Sequence, residues 1–90
     1  MYKIEMSTRF RRELKTAKKR GWDITKLAAV VDLLAKGITL PQKNMDHPLT
    51  GDYARFRECH IMPAWLLVYR IEADKLVLYL LRTGTHADLF

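Results

Sequence analysis

Three histidines, His47, His60 and His86, together with Arg82, are the side chains of this sequence best suited to chemistry at neutral pH. Imidazole can both take and give a proton near pH 7, and a guanidinium carries a permanent charge that can offset one growing on a phosphate. If the four share a cleft, they can cleave a phosphodiester beside a ribose 2′-OH without a metal. One group removes the 2′-OH proton, a second protonates the departing 5′-oxygen, and Arg82 stabilises the charge between them. Taken singly, each histidine also has an ordinary place: His47 in a solvated loop, His60 at a strand end, His86 in the tail. The order of residues does not say which is base and which is acid.

Other chemistries fit less well. A three-histidine zinc site is the main rival, but zinc ligands usually include at least one short spacing, and no two of these histidines stand close in the chain. No metal and no cofactor is therefore expected. Cys59 is the only cysteine, which excludes an internal disulfide and a multi-cysteine metal site, and it reads as a buried strand residue. No Gly-rich phosphate loop, nucleophilic serine elbow or carboxylate cluster for magnesium is present.

The elements that must position these groups can be read from periodicity. Residues 2–5 form a short leading strand, and Ser7 or Thr8 can cap a helix running to about Arg20, in which Phe10, Leu14 and Ala17 make a narrow apolar stripe. Gly21 stops it. Asp23 caps a second helix built on Leu27, Val30, Val31 and Leu34, and Gly37 ends that one. Residues 38–52 lose all periodicity and read as a long irregular loop carrying His47, of a length that is often functional when ordered. Strands follow at 53–61, 65–71 and 75–82, the last two joined by a turn at 72–74. Helices grouped ahead of an antiparallel run predict an α+β domain, a single unit over residues 1–90, with two antiparallel helices on one face of a twisted sheet. The other face stays partly open.

That arrangement places one difficulty on Arg82. Strict alternation puts it on the face of Leu76, Leu78 and Leu80, which the helices should cover; a bulge, or a strand ending at Leu81, would turn it outward. Among the rings, Trp65, Tyr69 and Tyr79 could stack unpaired bases if the open face carried them, although core packing accounts for Tyr69 and Tyr79. Phe90, close to His86, is harder to assign to a core.

The net charge is +6, and it is concentrated. Arg9, Arg11, Arg12, Lys15, Lys18, Lys19 and Arg20 fall in one helix against Glu13 alone, while the rest of the chain balances. Such a helix suits a phosphate backbone or an acidic protein partner. No signal-peptide stretch and no apolar run long enough to span a bilayer is present, so a cytoplasmic protein without membrane contact is expected.

Three blocks occur in order: Asp46-His47-Pro48-Leu49; Cys59-His60 through Trp65-Leu66-Leu67-Val68-Tyr69; and Leu81-Arg82-Thr83-Gly84-Thr85-His86. Together with the basic first helix and the Phe90 ending, they resemble the signature of YafQ-type toxins of the RelE/ParE superfamily. The resemblance covers nearly the whole chain. It implies a RelE-like fold, a type II toxin that cleaves messenger RNA on the ribosome, and a cognate antitoxin, with operator DNA contacted only through the toxin–antitoxin complex. It further implies that His47, His60 and His86 are the acid–base groups, Arg82 the phosphate-stabilising cation, and Trp65 and Phe90 positioners of substrate. On the same footing Arg9, Arg11, Arg12, Lys15, Lys18 and Lys19 would grip ribosomal RNA or the antitoxin. One position departs from the pattern: the family usually has aspartate directly before the tryptophan, and this chain has Ala64, which removes a carboxylate able to orient a nearby imidazole. The alternative is a non-catalytic ParE-like or remnant toxin acting only by protein binding. A third reading is an RNase that cuts naked RNA.

Overall fold

The computed structural model describes residues 1–90. The chain forms strand β1 (Lys3–Met6), helices α1 (Thr8–Lys19) and α2 (Ile24–Ala35), strands β2 (His47–Pro48), β3 (Arg57–Met62), β4 (Trp65–Glu72) and β5 (Val77–Gly84), and a one-turn helix α3 (His86–Leu89). The five strands lie in the order β1-β5-β4-β3-β2, with β1 parallel to β5 and every other pair antiparallel. Both long helices cover one face, as their apolar stripes require: Phe10 and Ala17 from α1, and Leu27, Val30, Val31 and Leu34 from α2, pack against Cys59, Leu67, Tyr69, Leu78 and Leu80. On the opposite face a smaller cluster of Leu66, Val68 and Leu89 is flanked by Leu49, Phe56 and Leu81.

Ser7 joins three elements. Its backbone N–H donates to Leu80 O, extending the β1–β5 ladder by one residue, while its hydroxyl accepts from Phe10 N at 2.9 Å as the α1 cap and donates to Leu81 O at 2.7 Å. Gly21 and Gly37 follow the helices at φ +78° and +74°, conformations that a Cβ would disfavour. Asp23 caps α2 by accepting from Thr25 N.

The sheet differs from the expected pattern in four places. The loop after α2 is not structureless: it holds tight turns at Gln42–Asn44 and Gly51–Tyr53, and between them β2, whose His47 and Pro48 pair with Glu58 and Arg57. The third strand begins at Arg57 rather than 53, because Gly51 at φ +63° opens a turn that takes up Tyr53. The last hairpin turn reaches Leu76, which adopts φ +54°, so β5 starts at Val77. Finally, the tail after Gly84 is helical.

The register of β4 and β5 removes the difficulty over Arg82. Tyr69 pairs with Leu80 and Val68 with Arg82, leaving Leu81 as an extra residue in β5. This bulge inverts the alternation beyond it. Arg82 therefore shares the face of Val68, away from the helices, and Thr83 takes the inward position instead.

Candidate active site

Register alone lays out the face opposite the helices. Residues paired across an antiparallel ladder project to the same side, so His47, Glu58, Val68 and Arg82 form one row across β2, β3, β4 and β5. His60, Leu66 and Gly84 form the next row, and the chain leaves Gly84 directly into α3 with His86. At roughly 4.8 Å per strand the first row spans about 14 Å, the width of a nucleotide or two. His47, His60 and Arg82 thus share one sheet face with Leu66 and Val68, and Leu89 packs on those two residues, which brings α3 with His86 to the same side.

Each side chain is held by its own contacts. His47 is exposed; its Nδ1 faces Pro48 O at 3.1 Å and its Nε2 faces Glu58 Oε1 at 3.2 Å. The Pro48 carbonyl and an ionised Glu58 carboxylate are both acceptors, so each ring nitrogen of His47 faces an acceptor. Asp46 steadies the start of β2, accepting from the Tyr69 hydroxyl at 2.6 Å and from Arg57 Nε and Nη2 at 3.3 Å. His60 Nδ1 lies 3.1 Å from Pro63 O, which as a carbonyl can only accept. In the neutral ring this contact favours the hydrogen on Nδ1 and leaves Nε2 free to accept.

Arg82 is 7% exposed, and its charge is compensated at once. Nε and Nη2 grip the Glu13 carboxylate at 2.7–3.1 Å, and Nη2 also donates to Asp88 O at 3.1 Å. Glu13 can reach because β1 ends at Met6, leaving the last half of the β5 edge for α1; the same carboxylate accepts from Thr83 N at 3.2 Å. The hydrogen bond from Arg82 to Glu13 raises the guanidinium pKa further, outweighing the opposing effect of burial, and the Tyr53 hydroxyl contributes in the same direction. A phosphate is left the Nη1 side of the group. His86 is exposed with its ring 5.4 Å from that of Phe90, and Phe90 stands edge-on to Tyr53 at 5.6 Å. Those three rings form a chain that offers a surface for a base, and Tyr53 at one end also acts on the guanidinium.

Not every expected residue joins this face. Trp65 lies on the opposite, helix-covered side, 2% exposed, donating through Nε1 to Thr83 Oγ1 at 2.8 Å and packing on Trp22 at 4.9 Å. It cannot stack on RNA, since alternation within β4 sends it inward with Leu67 and Tyr69. Tyr69 is core, and the Tyr79 ring is taken up by the Arg70 guanidinium at 5.4 Å. Ala64 is an exposed turn residue between β3 and β4, next to the carbonyl that holds His60. Arg9, Arg11, Arg12, Lys15, Lys18 and Lys19 are exposed on α1 and none has a carboxylate partner. Cys59 is fully buried with its thiol pushed up to about 12, chiefly by desolvation, which makes it inert as a nucleophile.

Glu58 and Glu13 complete the site, and neither stands out in the sequence. Glu58, 6% exposed beside His47, lies in an ordinary polar-apolar alternation, and its significance depends on β2 pairing there. Glu13 reads in the sequence as the lone acid on a basic helix, and its partner lies 69 residues away. No group of three or more His, Cys, Asp or Glu side chains is placed to hold a metal ion, and no helix is long and apolar enough to cross a membrane.

Comparisons with known proteins agree with this fold. The family model for the bacterial toxin of type II toxin–antitoxin systems, YafQ, matches residues 2–90. The mRNA interferase toxin YafQ of Escherichia coli K12 is 41% identical over 88 residues, covering 97% of this chain and 94% of the relative. Among solved structures, a metal-bound toxin from Helicobacter pylori is 44% identical with a TM-score of 0.95 over the whole of both chains. The E. coli DinJ–YafQ complex gives 40% identity and a TM-score of 0.90, covering all of this chain and 99% of that one. From its first strand to Phe90, the chain belongs to the YafQ family of type II toxin–antitoxin toxins.

Proposed function

We propose that the protein is an endoribonuclease that cleaves messenger RNA on the ribosome by metal-independent acid–base chemistry. The observation that carries this reading is the gathering of His47, His60, Arg82, His86 and Phe90 on one open sheet face. The ribose 2′-oxygen attacks the adjacent phosphorus as its proton passes to His60 Nε2, the free acceptor of that ring. The P–O5′ bond breaks, the 5′-oxygen takes a proton from His86, and a cyclic phosphodiester remains on the upstream fragment. Arg82 Nη1 stabilises the charge on the non-bridging oxygens. The His47–Glu58 pair sets an imidazole against a carboxylate at the other end of the row. Phe90, with Tyr53, seats the base.

The cations of α1 grip ribosomal RNA or the acidic segments of a cognate antitoxin, a partner supported by the DinJ complex of the E. coli relative. Operator DNA is then contacted through the toxin–antitoxin complex. The direct test is primer extension on an mRNA translated with and without the protein: cuts confined to translated codons support the reading. Cleavage of the same RNA without ribosomes would replace it with a free-standing RNase, and no cleavage in either case would sink it.

Two further outcomes follow from the geometry. Glu58→Gln keeps the shape of the His47 pair but removes its carboxylate charge, and should lower the cleavage rate about 10-fold in single-turnover assays, the low end of what losing an orienting partner costs. Replacing Arg11, Arg12 and Lys15 by alanine should leave the rate on bound ribosomes unchanged. The slope of log affinity against log salt should fall by roughly 0.7–0.9 for each phosphate that these cations no longer neutralise.

A further inference from the structure

We propose that Arg20 is a positioning residue, whose two-point ion pair with Asp88 latches α3 onto the end of α1 and so sets where His86 and Phe90 stand. The inference rests on the nuclease reading for its consequence and on contacts within the protein for its existence.

Arg20 is set apart from the other cations of α1. Its Nη1 lies 2.7 Å from Asp88 Oδ2 and its Nη2 3.2 Å from Oδ1, the fork-to-fork geometry that a lysine cannot reproduce. The guanidinium also lies over Trp22 at 4.9 Å, and Trp22 packs on the buried Trp65 at 4.9 Å. The latch is therefore braced against the core. Trp65, expected to touch substrate, acts through this brace instead.

The helix it holds cannot stand by itself. A single turn is far below the length at which a helix persists in water, so α3 exists only through its anchors. Leu89 is buried against Leu66 and Val68, Arg82 donates to Asp88 O, and Thr85 and Asp88 form a reciprocal cap, with Thr85 N donating to Asp88 Oδ2 at 2.8 Å and Asp88 N to Thr85 Oγ1 at 3.1 Å. Asp88 is the common member of three of these four contacts. The hydrogen bond from Arg20, first, and the backbone of Thr85, second, hold its carboxyl well below the usual carboxylate range. Gly84 allows the close approach: a Cβ there would lie 2.9 Å from Asp88 Oδ2 and 3.0 Å from its Cβ. With His86 two residues before Asp88 and Phe90 two after it, both functional rings move with this carboxylate.

The pair is about one-third exposed, so its loss should leave the global fold intact while shifting the population of a marginal element. Arg20→Ala should speed amide exchange in residues 86–89 by about 3–10-fold and lower the single-turnover cleavage rate by a similar factor, with KM changed less than about 2-fold. Arg20→Lys should fall between. Asp88→Asn retains an acceptor for Thr85 N, and the Arg20→Ala/Asp88→Asn double variant should be no worse than the poorer single one, as expected for two members of one contact. The exchange measurement needs no ribosome, so it decides the latch even if the protein proves not to cleave RNA. Unchanged exchange in Arg20→Ala overturns the proposal. So does faster exchange with an unchanged cleavage rate, and so does a raised KM with a reduced salt slope, which would make Arg20 one more RNA-gripping cation.

Discussion

Replacing His86 with alanine is expected to lower ribosome-dependent mRNA cleavage by about 10²–10⁴-fold, the usual contribution of a positioned acid or base. The ring is exposed, so the substitution leaves no cavity and no orphaned partner, and thermal unfolding should change little. Arg82→Ala is a poorer test of the same idea. It would strand the Glu13 carboxylate, and breaking such a sheltered pair costs about 3–5 kcal/mol, a large share of the stability of a small domain. His86→Ala separates the nuclease from the non-catalytic alternative, because a toxin that works only by binding retains its toxicity without that imidazole. Growth arrest and primer extension measured on the same variant decide between them: arrest persisting while cleavage disappears would favour the binder.

Local signals in the sequence are sufficient for the helices. The Phe10–Ala17 stripe, the Ser7 and Asp23 caps and the Gly21 and Gly37 stops each depend on residues within a turn or two of one another, and the structure has all of them. The order of strands in the C-terminal half and the placement of both long helices on one face are legible for the same reason. What the sequence hides depends on distant pairing. Two residues, His47 and Pro48, have no periodicity to detect, and they form a strand only because β3 offers them an edge. The Leu81 bulge is invisible in alternation, since it is defined by what β4 does opposite it. Trp65 misleads by its type: an aromatic in an apolar strand fits a core or a binding face equally, and only parity with Leu67 and Tyr69 sends it inward.

The same dependence explains why the acid–base roles open up in three dimensions. His60 and His47 are equivalent as residue types, yet one faces a backbone carbonyl with a single ring nitrogen and the other faces two acceptors with both. Proton inventory follows from partners, and partners follow from register. Glu13 makes the point for charge: in a helix with seven cations it reads as a local counter-ion, whereas its carboxylate serves Arg82 and the β5 edge.

Ala64→Asp is the prediction that runs in the other direction, toward gain. Ala64 lies in the two-residue turn between β3 and β4, beside Pro63, whose carbonyl lies 3.1 Å from His60 Nδ1. The residue is exposed, so a carboxylate fits there without displacing the core. Placed there, it would add a negative charge near His60 and stabilise the imidazolium formed when that ring takes the 2′-OH proton. Partners of this kind are commonly worth about 10–100-fold, and a rise of about 10-fold or more in the single-turnover rate is expected. Equal rates for the Ala64 and Asp forms would remove this position from the mechanism and leave His60 oriented by Pro63 alone.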